Sequence, residues 1–162
     1  MADEIEATDG EEIEVELVNG ITAGLAGATQ CDISLTLRGV ARGVTLVTAH
    51  TQDDSELNWR ALAQGGTTLV IYMGVAKLGE IRQQLLDGGM ALDTPVAMIE
   101  NASMPCQREC RSNLTAMQED AYSFQLKSPA ILVIGAVAAS AALEQGLPAS
   151  VTPLPLPSSA AL

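Results

Sequence analysis

Short apolar runs, each closed by glycine or a polar turn, follow one another along this 162-residue chain. The clearest spans residues 67–73 and is continuous, which is typical of a strand covered on both faces of an α/β sheet. Residues 44–49 are rich in β-branched side chains and also predict a strand. Further strands or extended segments are predicted at residues 14–18, 32–38, 95–99, 107–111 and 130–137.

Segments with helical spacing separate these strands. Leu78, Ile81 and Leu85 recur at intervals of three and four residues, and Gly88 and Gly89 follow them as a stop signal, so residues 77–86 predict a helix. Other helices are predicted at residues 23–30 with Thr22 as the N-cap, 53–64 and 112–126. Strands that alternate with helices predict an α/β domain, with a layered, mixed or largely parallel sheet and flanking helices.

Composition divides the chain into three parts. Residues 1–12 are predicted to be a disordered acidic leader, because eight of the 20 acidic residues lie within the first 16 positions, where Lys and Arg are absent. The α/β domain is expected over residues 13–143. Residues 144–162 are rich in Pro, Ser and Ala and are predicted to form a flexible tail, since prolines interrupt both helices and strands.

Charge and composition exclude several classes of partner. The net charge of −12 and the lack of a basic cluster argue against a nucleic-acid backbone, and 2% aromatic residues leave no clustered rings for base stacking. The longest apolar run, residues 129–143, is shorter than the ~20 residues that span a bilayer, so no membrane partner is expected. Three cysteines without an apolar signal segment predict a cytoplasmic location.

Few residues offer acid–base or metal chemistry. The C-x-x-x-C pair at residues 106–110 could be completed only by Cys31 and His50, so reduced thiols that act as apolar fillers are expected rather than a metal site. His50 is either a general base or a polar residue satisfied by its neighbours. The aspartates at residues 53–54 are either a carboxylate pair or acids at a helix start, where the helix dipole favours them.

Three loops at the carboxyl ends of predicted strands remain as candidate sites, at residues 19–23, 72–75 and 100–103. The familiar phosphate-binding, nucleophile-elbow and zinc motifs are absent from the sequence. Ligands of open α/β sheets bind outside the carboxyl ends of strands, and small residues there let a ligand approach the backbone. The loops therefore predict a site for a neutral or zwitterionic small molecule, with ordinary strand-to-helix turns as the alternative.

Six short motifs in a fixed order carry a family resemblance. They are V-N-G-I-T-A-G at 18–24, L-T-x-R at 35–38, V-T-A-H at 47–50, T-L-V-I-Y-M-G at 68–74, T-P-V-A-M-I-E-N-A-S at 94–103 and Q-R at 107–108. From about residue 10 to residue 138, the chain resembles the carboxyl-terminal portion of the tetrapyrrole methylase family. Within that family it is most similar to the uroporphyrinogen-III C-methyltransferases, which also form the methyltransferase part of sirohaem synthase.

The resemblance implies an activity and a cofactor. Methyl groups from S-adenosyl-L-methionine would be transferred to C2 and C7 of uroporphyrinogen III, giving precorrin-2 for sirohaem and cobalamin biosynthesis. The cofactor-binding residues implied by the resemblance are Thr22, Ala23, Met73 and Ala102. No catalytic acid or base is assigned, because methyl transfer from a sulfonium depends mainly on positioning. A homodimer is the assembly that the resemblance implies.

The tetrapyrrole substrate carries several carboxylates, so local arginines are expected to hold it. Arg38 and Arg108 lie in family-like motifs and are the predicted substrate-binding residues. Arg42 and Arg111 are further candidates, with a role in surface solubility as the alternative for all four.

Two departures from the family pattern shape the functional expectation. Leu37 stands where the family's L-T-H-R motif has histidine. The family's glycine-rich G-x-G-x-G-D-x-x-L-L-T loop and its later G-D-P segment have no counterpart in this sequence. We therefore expect the chain to supply one wall of a cofactor cleft that two halves form together. The alternative function is a non-catalytic remnant or dimerisation module that keeps the fold.

Overall fold

A five-stranded sheet with helices on both faces is the framework of the protein. The computed structural model describes residues 16–49 and 57–139. The elements in chain order are α1 (Ala23–Gln30), β1 (Val44–Thr48), α2 (Trp59–Gln64), β2 (Thr68–Tyr72), α3 (Leu78–Asp87), β3 (Pro95–Glu100), β4 (Arg108–Asn113), α4 (Met117–Phe124) and β5 (Ala130–Ile134). Short 3₁₀ turns precede α3 and follow β5, at Val75–Lys77 and Ala136–Ala138. The predicted α/β class, with a mixed sheet and flanking helices, is confirmed.

The strand order places the ends of three strands at one edge of the sheet. The order is β1-β2-β5-β3-β4. β1 and β2 are parallel, whereas β5 is antiparallel to both β2 and β3, and β4 is antiparallel to β3. β1, β2 and β3 therefore finish together, at Thr48, Tyr72 and Glu100. We call this edge the cleft end, and the opposite edge, where β2 and β3 begin at Thr68 and Pro95, the turn end.

Alternate residues of the central strands face two separate apolar cores, as the two-residue period of a strand requires. One core contains Leu69 and Ile71 of β2 and packs against α3 and α4. The other contains Val70 of β2 and Val133 of β5 and packs against α1. The central strands are thus buried on both faces, as the continuous apolar run at residues 67–73 predicts.

Helix α1 lies close to the sheet because glycines face it. A Cβ atom at Gly24 would lie 2.2 Å from the Tyr72 hydroxyl, and one at Gly27 would lie 2.8 Å from the Cβ atom of Ala102. Only glycine permits so close an approach. Since Gly24 lies next to Tyr72, the first turn of α1 becomes part of the cleft end.

The boundary between β4 and α4 differs from the sequence prediction. β4 continues to Asn113, so the helix predicted over residues 112–126 begins only at Met117. The Asn113 side chain accepts a hydrogen bond of 3.0 Å from the Ala116 N–H and closes the turn between the two elements. Side-chain turns of this kind compete with helical hydrogen bonding, which accounts for the later start.

Two predicted extended segments form no strand over the residues that the structure describes. The segment at residues 32–38 contains only an isolated bridge between Leu37 and Ala41. The Ile33 N–H donates to the Ala28 carbonyl (2.8 Å), so this segment continues from the end of α1 instead of joining the sheet. Residues 16–18 of the strand predicted at 14–18 have no regular secondary structure.

Several predicted features lie outside the described residues. They are the acidic leader at residues 1–12, the tail at residues 144–162, His50 and the aspartates at residues 53–54.

Helix α2 begins at Trp59 after Asn58, whose side chain accepts a hydrogen bond from the Ala61 N–H. Over residues 16–49 and 57–139, no helix is long and apolar enough to cross a membrane.

Candidate functional site

A cleft of about 510 Å³ opens at the cleft end of the sheet. Its floor contains Ile99 and Ile131, from the neighbouring strands β3 and β5. Its walls contain Ala23 at the start of α1, Met73 after β2 and Ala102 after β3. These three are predicted cofactor-binding residues that are distant in sequence, and the fold brings them to one cavity.

The fourth predicted cofactor-binding residue, Thr22, is attached to the cleft wall through a tyrosine. The Thr22 Oγ1 atom lies 2.6 Å from the hydroxyl oxygen of Tyr72, the last residue of β2. The same oxygen accepts a hydrogen bond of 3.0 Å from the Gly24 N–H. Thr22 occupies the N-cap position that the sequence predicts, but its side chain bonds Tyr72 instead of a helix N–H group. Ala23 is therefore held between two residues that Tyr72 contacts.

The loops that follow β2 and β3 contain non-glycine residues with left-handed backbone. Met73 has a φ angle of 54°, Asn101 of 52° and Ser103 of 67°. Side chains rarely adopt such angles, and residues that do so cluster at ligand clamps and active sites. The Met73 side chain is also 59% exposed despite its apolar character. Both features make this end of the sheet the candidate functional site.

A buried carboxylate lies directly beneath the loop after β3. Glu100 is 5% exposed, and its carboxylate accepts hydrogen bonds from the Arg108 guanidinium (2.8 and 3.3 Å) and from the Lys127 N–H (2.8 Å). The hydrogen bond from Arg108 lowers the pKa of Glu100 below its ordinary value, against the opposing effect of burial. Glu100 thereby joins the chain before β5 to the loop that carries Ala102.

Arg108 is a predicted substrate-binding residue that lies at the cleft end but already has protein partners. Its guanidinium pairs with Glu100, stacks 4.4 Å from the centre of the Phe124 ring and donates to the carbonyls of Phe124 and Gln125. Its side chain is 44% exposed. One face of Arg108 is therefore used for structure, while the other faces solvent.

The other candidate arginines lie away from the cleft. Arg111 donates to the carbonyls of Ala138 and Cys31 (2.8 Å each) and pairs with Glu109, so it joins β4 to the end of α1. Arg38 and Arg42 are exposed. Arg38 lies within the turn that the Leu37–Ala41 bridge closes, and Arg42 follows this turn, where the chain enters β1 at the turn end. The prediction that Arg38 contacts substrate rests on the resemblance alone.

The cysteines are free thiols in different surroundings. Cys31 is buried and Cys106 is exposed. Burial raises the pKa of Cys31 and of the half-buried Cys110, which favours their uncharged forms. In the described part of the chain, no group of three or more His, Cys, Asp or Glu side chains could hold a metal ion. His50 lies outside those residues.

The candidate loops at residues 72–75 and 100–103 begin with Tyr72 and Glu100, but the sequence assigns neither side chain a role. A signal was present for both, because each is a polar group at the end of an otherwise apolar run, at residues 68–72 and 95–100. Buried polar groups of this kind require hydrogen-bond partners, and those partners define the site.

Comparison with known proteins gives the family. The family described as Tetrapyrrole (Corrin/Porphyrin) Methylases matches residues 1–118. The chain belongs to the tetrapyrrole methylase family. Among the relatives of this methylase chain, uroporphyrinogen-III C-methyltransferase from Pseudomonas fluorescens is 82% identical over 126 residues, which cover 78% of the chain and 51% of the relative. The enzyme of the same name from Pseudomonas aeruginosa is 71% identical over 125 residues, covering 77% and 51%.

A solved structure supports the same assignment for the fold of this methylase chain. Uroporphyrin-III C-methyl transferase from Thermus thermophilus, complexed with S-adenyl homocysteine, superposes with a TM-score of 0.64 and 30% sequence identity. The superposition covers 77% of this chain and 54% of that one. The methylase chain thus spans about half the length of the curated relatives it matches.

Proposed function

We propose that this chain forms part of an S-adenosyl-L-methionine-dependent methyltransferase that acts on uroporphyrinogen III. The observation that carries the proposal is the cleft at the ends of β2 and β3, where Ala23, Met73 and Ala102 meet and where Thr22 bonds Tyr72. Two further findings support it. Close relatives bear the name uroporphyrinogen-III C-methyltransferase, and the Thermus thermophilus relative was crystallised with S-adenyl homocysteine.

The residues of the cleft suit the cofactor. Ala23 and Ala102 are small enough to let a ligand approach the backbone, and Met73 and Met104 offer apolar surface to a purine ring or a methyl group. The cofactor supplies a methyl group on a sulfonium, whose transfer to carbon releases a neutral thioether. The chain's own part is to orient both reactants and to exclude water, and orientation of this kind lowers a barrier by about 7–11 kcal/mol at most.

For the substrate, we assign the main role to Arg108 among the predicted arginines. It lies at the cleft end, and its side chain is 44% exposed, so a substrate carboxylate can approach the guanidinium beside the ion pair with Glu100. A guanidinium fixed in this way loses little conformational entropy when it binds a second acid. Arg38, at the turn end, is the weaker candidate.

The product, pathway and assembly are proposed from the resemblance. Transfer to C2 and C7 gives precorrin-2, an intermediate of sirohaem and cobalamin biosynthesis. We place the protein in the cytoplasm, which the free thiols of Cys31, Cys106 and Cys110 support. A homodimer is supported by exposed apolar side chains, of which Leu17, Val18 and Ile21 are each about four-fifths exposed.

A labelled-methyl assay tests the proposal. The chain is mixed with the half of the Pseudomonas fluorescens relative that it does not match, together with ¹³C-methyl-labelled S-adenosylmethionine and uroporphyrinogen III. The expected product carries two labelled methyl groups by mass spectrometry. Ala102→Leu, which narrows the cleft, should abolish labelling, whereas Ala91→Leu at an exposed position of the turn end should leave it unchanged.

Two results would contradict the proposal. Labelling that survives Ala102→Leu unchanged would show that the cleft does not hold the cofactor. A folded mixture without any labelling would favour the alternative function, a non-catalytic remnant or dimerisation module of the same fold.

A further inference from the structure

The Tyr72 hydroxyl bonds two groups at the start of α1, the Thr22 hydroxyl and the Gly24 N–H, and the proposed function gives it no role. Its hydroxyl oxygen lies 2.6 Å from Thr22 Oγ1 and accepts a hydrogen bond of 3.0 Å from the Gly24 N–H. No other hydrogen-bond partner of this hydroxyl lies within residues 16–49 and 57–139. The direction of the Thr22–Tyr72 bond therefore decides which hydroxyl proton remains unused.

The bonding pattern favours Tyr72 as the donor to Thr22. If Thr22 donated, Tyr72 would accept two hydrogen bonds and its own proton would have no partner among the described residues. If Tyr72 donates, its proton is used and the Gly24 N–H is still satisfied. A phenol is also the more acidic of the two kinds of hydroxyl and hence the better hydrogen-bond donor.

We propose that Tyr72 is a positioning residue that turns the Thr22 hydroxyl into a hydrogen-bond donor directed at the ligand in the cleft. The chain of bonds runs from the Gly24 N–H to the Tyr72 oxygen and from the Tyr72 hydroxyl to Thr22 Oγ1. The Thr22 proton is then free to be donated to an acceptor group. Successive hydrogen bonds polarise one another, so each makes the next a stronger donor.

The surroundings of the hydroxyl pair keep it in this arrangement. A Cβ atom at Gly24 would lie 2.2 Å from the Tyr72 hydroxyl, so the glycine lets the ring reach the helix. Tyr72 is the last residue of the central strand β2, which is otherwise fully buried. The ring is therefore anchored on a buried strand, and Thr22 immediately precedes Ala23, which lines the cleft together with Tyr72.

The ligand in question is that of the proposed function, on which this inference rests. An acceptor at this position corresponds chemically to a carboxylate or hydroxyl group of an adenosylated amino acid. S-adenosylhomocysteine is the suitable probe, because it carries these acceptors but no transferable methyl group.

The test is a double-mutant cycle on S-adenosylhomocysteine binding by the chain mixed with the half of the Pseudomonas fluorescens relative that it does not match, measured by ligand-observed NMR. Tyr72→Phe removes only one hydroxyl and should weaken binding about tenfold, the loss expected for one hydrogen bond to a polar ligand. Thr22→Val should weaken binding by a similar factor. The affinity of the double variant should be at most about twofold lower than that of either single variant, because both changes remove the same interaction.

Controls separate this role from a purely structural one. Thr22→Ser keeps the hydroxyl and should bind within about twofold of the unchanged chain. Tyr122→Phe, at an exposed position of α4, should have no effect. Losses that multiply in the double variant, or a Tyr72→Phe variant that binds normally, would overturn the inference. If the mixture with the unchanged chain does not bind the probe at all, the cofactor proposal itself fails.

Discussion

The left-handed backbone positions at the two ends of the sheet are occupied by different residue types. At the turn end, Gly66 and Gly135 have φ angles of 64° and 142°. Glycine adopts such angles without steric strain. At the cleft end, Met73 and Asn101 have φ angles of 54° and 52°, which costs about 1 kcal/mol for each side chain. Both side chains line the cleft, so their strained backbone makes them candidates for a role there.

The arginines of β4 show the same division. At the cleft end, Arg108 neutralises the buried carboxylate of Glu100, on which the loop with Ala102 depends. Toward the turn end, Arg111 donates to the carbonyls of Cys31 and Ala138. The first arginine supports the walls of a cavity, and the second joins one helix to the sheet. Substitutions at the cleft end should therefore reduce ligand binding, whereas substitutions toward the turn end should reduce stability alone.

The largest effect is expected for Arg108→Met, which leaves Glu100 buried without its charged partner. Loss of one member of a buried pair destabilises a protein by about 3–5 kcal/mol, and because Arg108 is 44% exposed we expect the lower end of that range. Glu100 also accepts a hydrogen bond from the Lys127 N–H. The loops on both sides of the cleft should therefore loosen, and binding of S-adenosylhomocysteine should weaken. Urea unfolding followed by circular dichroism, together with a ligand titration, checks both expectations.

Two matched arginine variants sharpen this prediction. Arg111→Met should lower the free energy of unfolding by about 2 kcal/mol through its lost hydrogen bonds to carbonyls, but it should leave ligand binding unchanged. Arg42→Met, at an exposed position, should change neither. If Arg111→Met weakened binding as much as Arg108→Met does, the division between the two ends would be wrong.

A smaller effect is expected when the contact between α1 and β2 is crowded. Gly24→Ala places a methyl group 2.2 Å from the Tyr72 hydroxyl, which should force the helix away from the strand. Overpacking of this kind destabilises by about 2 kcal/mol. Thermal and urea unfolding measure the loss.

The matched control for this change is Gly20→Ala. A Cβ atom at Gly20 meets no other atom within 4 Å, so the free energy of unfolding should stay within about 0.5 kcal/mol of the unchanged chain. Equal losses in the two variants would show that α1 does not depend on the close approach at Gly24.

Met73→Gly should produce a gain in stability and a loss of binding. Glycine relieves the left-handed strain at this position, so unfolding should require about 1 kcal/mol more free energy. The exposed side chain contributes little to the core, but its removal takes apolar surface from the cleft. Met104→Gly is the control, because Met104 lines the same cleft without a positive φ angle and should give no gain. A destabilised Met73→Gly variant would contradict the account of strain at this edge.

The smallest effect concerns pH. The pKa of Glu100 is lowered in the folded chain, so the stabilising contribution of its carboxylate is complete above the ordinary pKa of about 4.3. It is lost as the pH falls through the lower, folded-state value. Denaturant titrations between pH 6 and pH 3 should therefore show a steeper loss of stability for the unchanged chain than for Glu100→Gln. Parallel curves would show that the Glu100 carboxylate does not contribute to acid unfolding.

Much of the fold follows from local sequence patterns, but the order of the strands does not. The apolar run at residues 67–73 and the spacing of Leu78, Ile81 and Leu85 predict β2 and α3 almost to the residue. Nothing local predicts that β5 lies between β2 and β3, because strand pairing depends on contacts between distant residues. The later start of α4 likewise depends on the side chain of Asn113.

The positions of the candidate site could be predicted from the sequence, but the contacts that hold its residues in place could not. The loops at residues 19–23, 72–75 and 100–103 lie at strand ends in the sequence, and the structure gathers residues of all three around one cleft. The partners of Tyr72 and Glu100 depend on tertiary contacts, so they are visible only in the folded chain. The arginines illustrate the limit most clearly, since the family-like motifs group Arg108 with Arg38, which the structure places at the opposite end of the sheet.

The most direct test of the central claim is a two-dimensional amide NMR spectrum of the isotope-labelled chain, mixed with the unlabelled half of the Pseudomonas fluorescens relative that it does not match and titrated with S-adenosylhomocysteine. We predict shifts confined to the cleft end, at Thr22, Gly24, Met73, Asn101 and Ala102. Shifts concentrated at the turn end, around Arg42, Gly66 and Gly89, or an unchanged spectrum at millimolar ligand, would contradict the account.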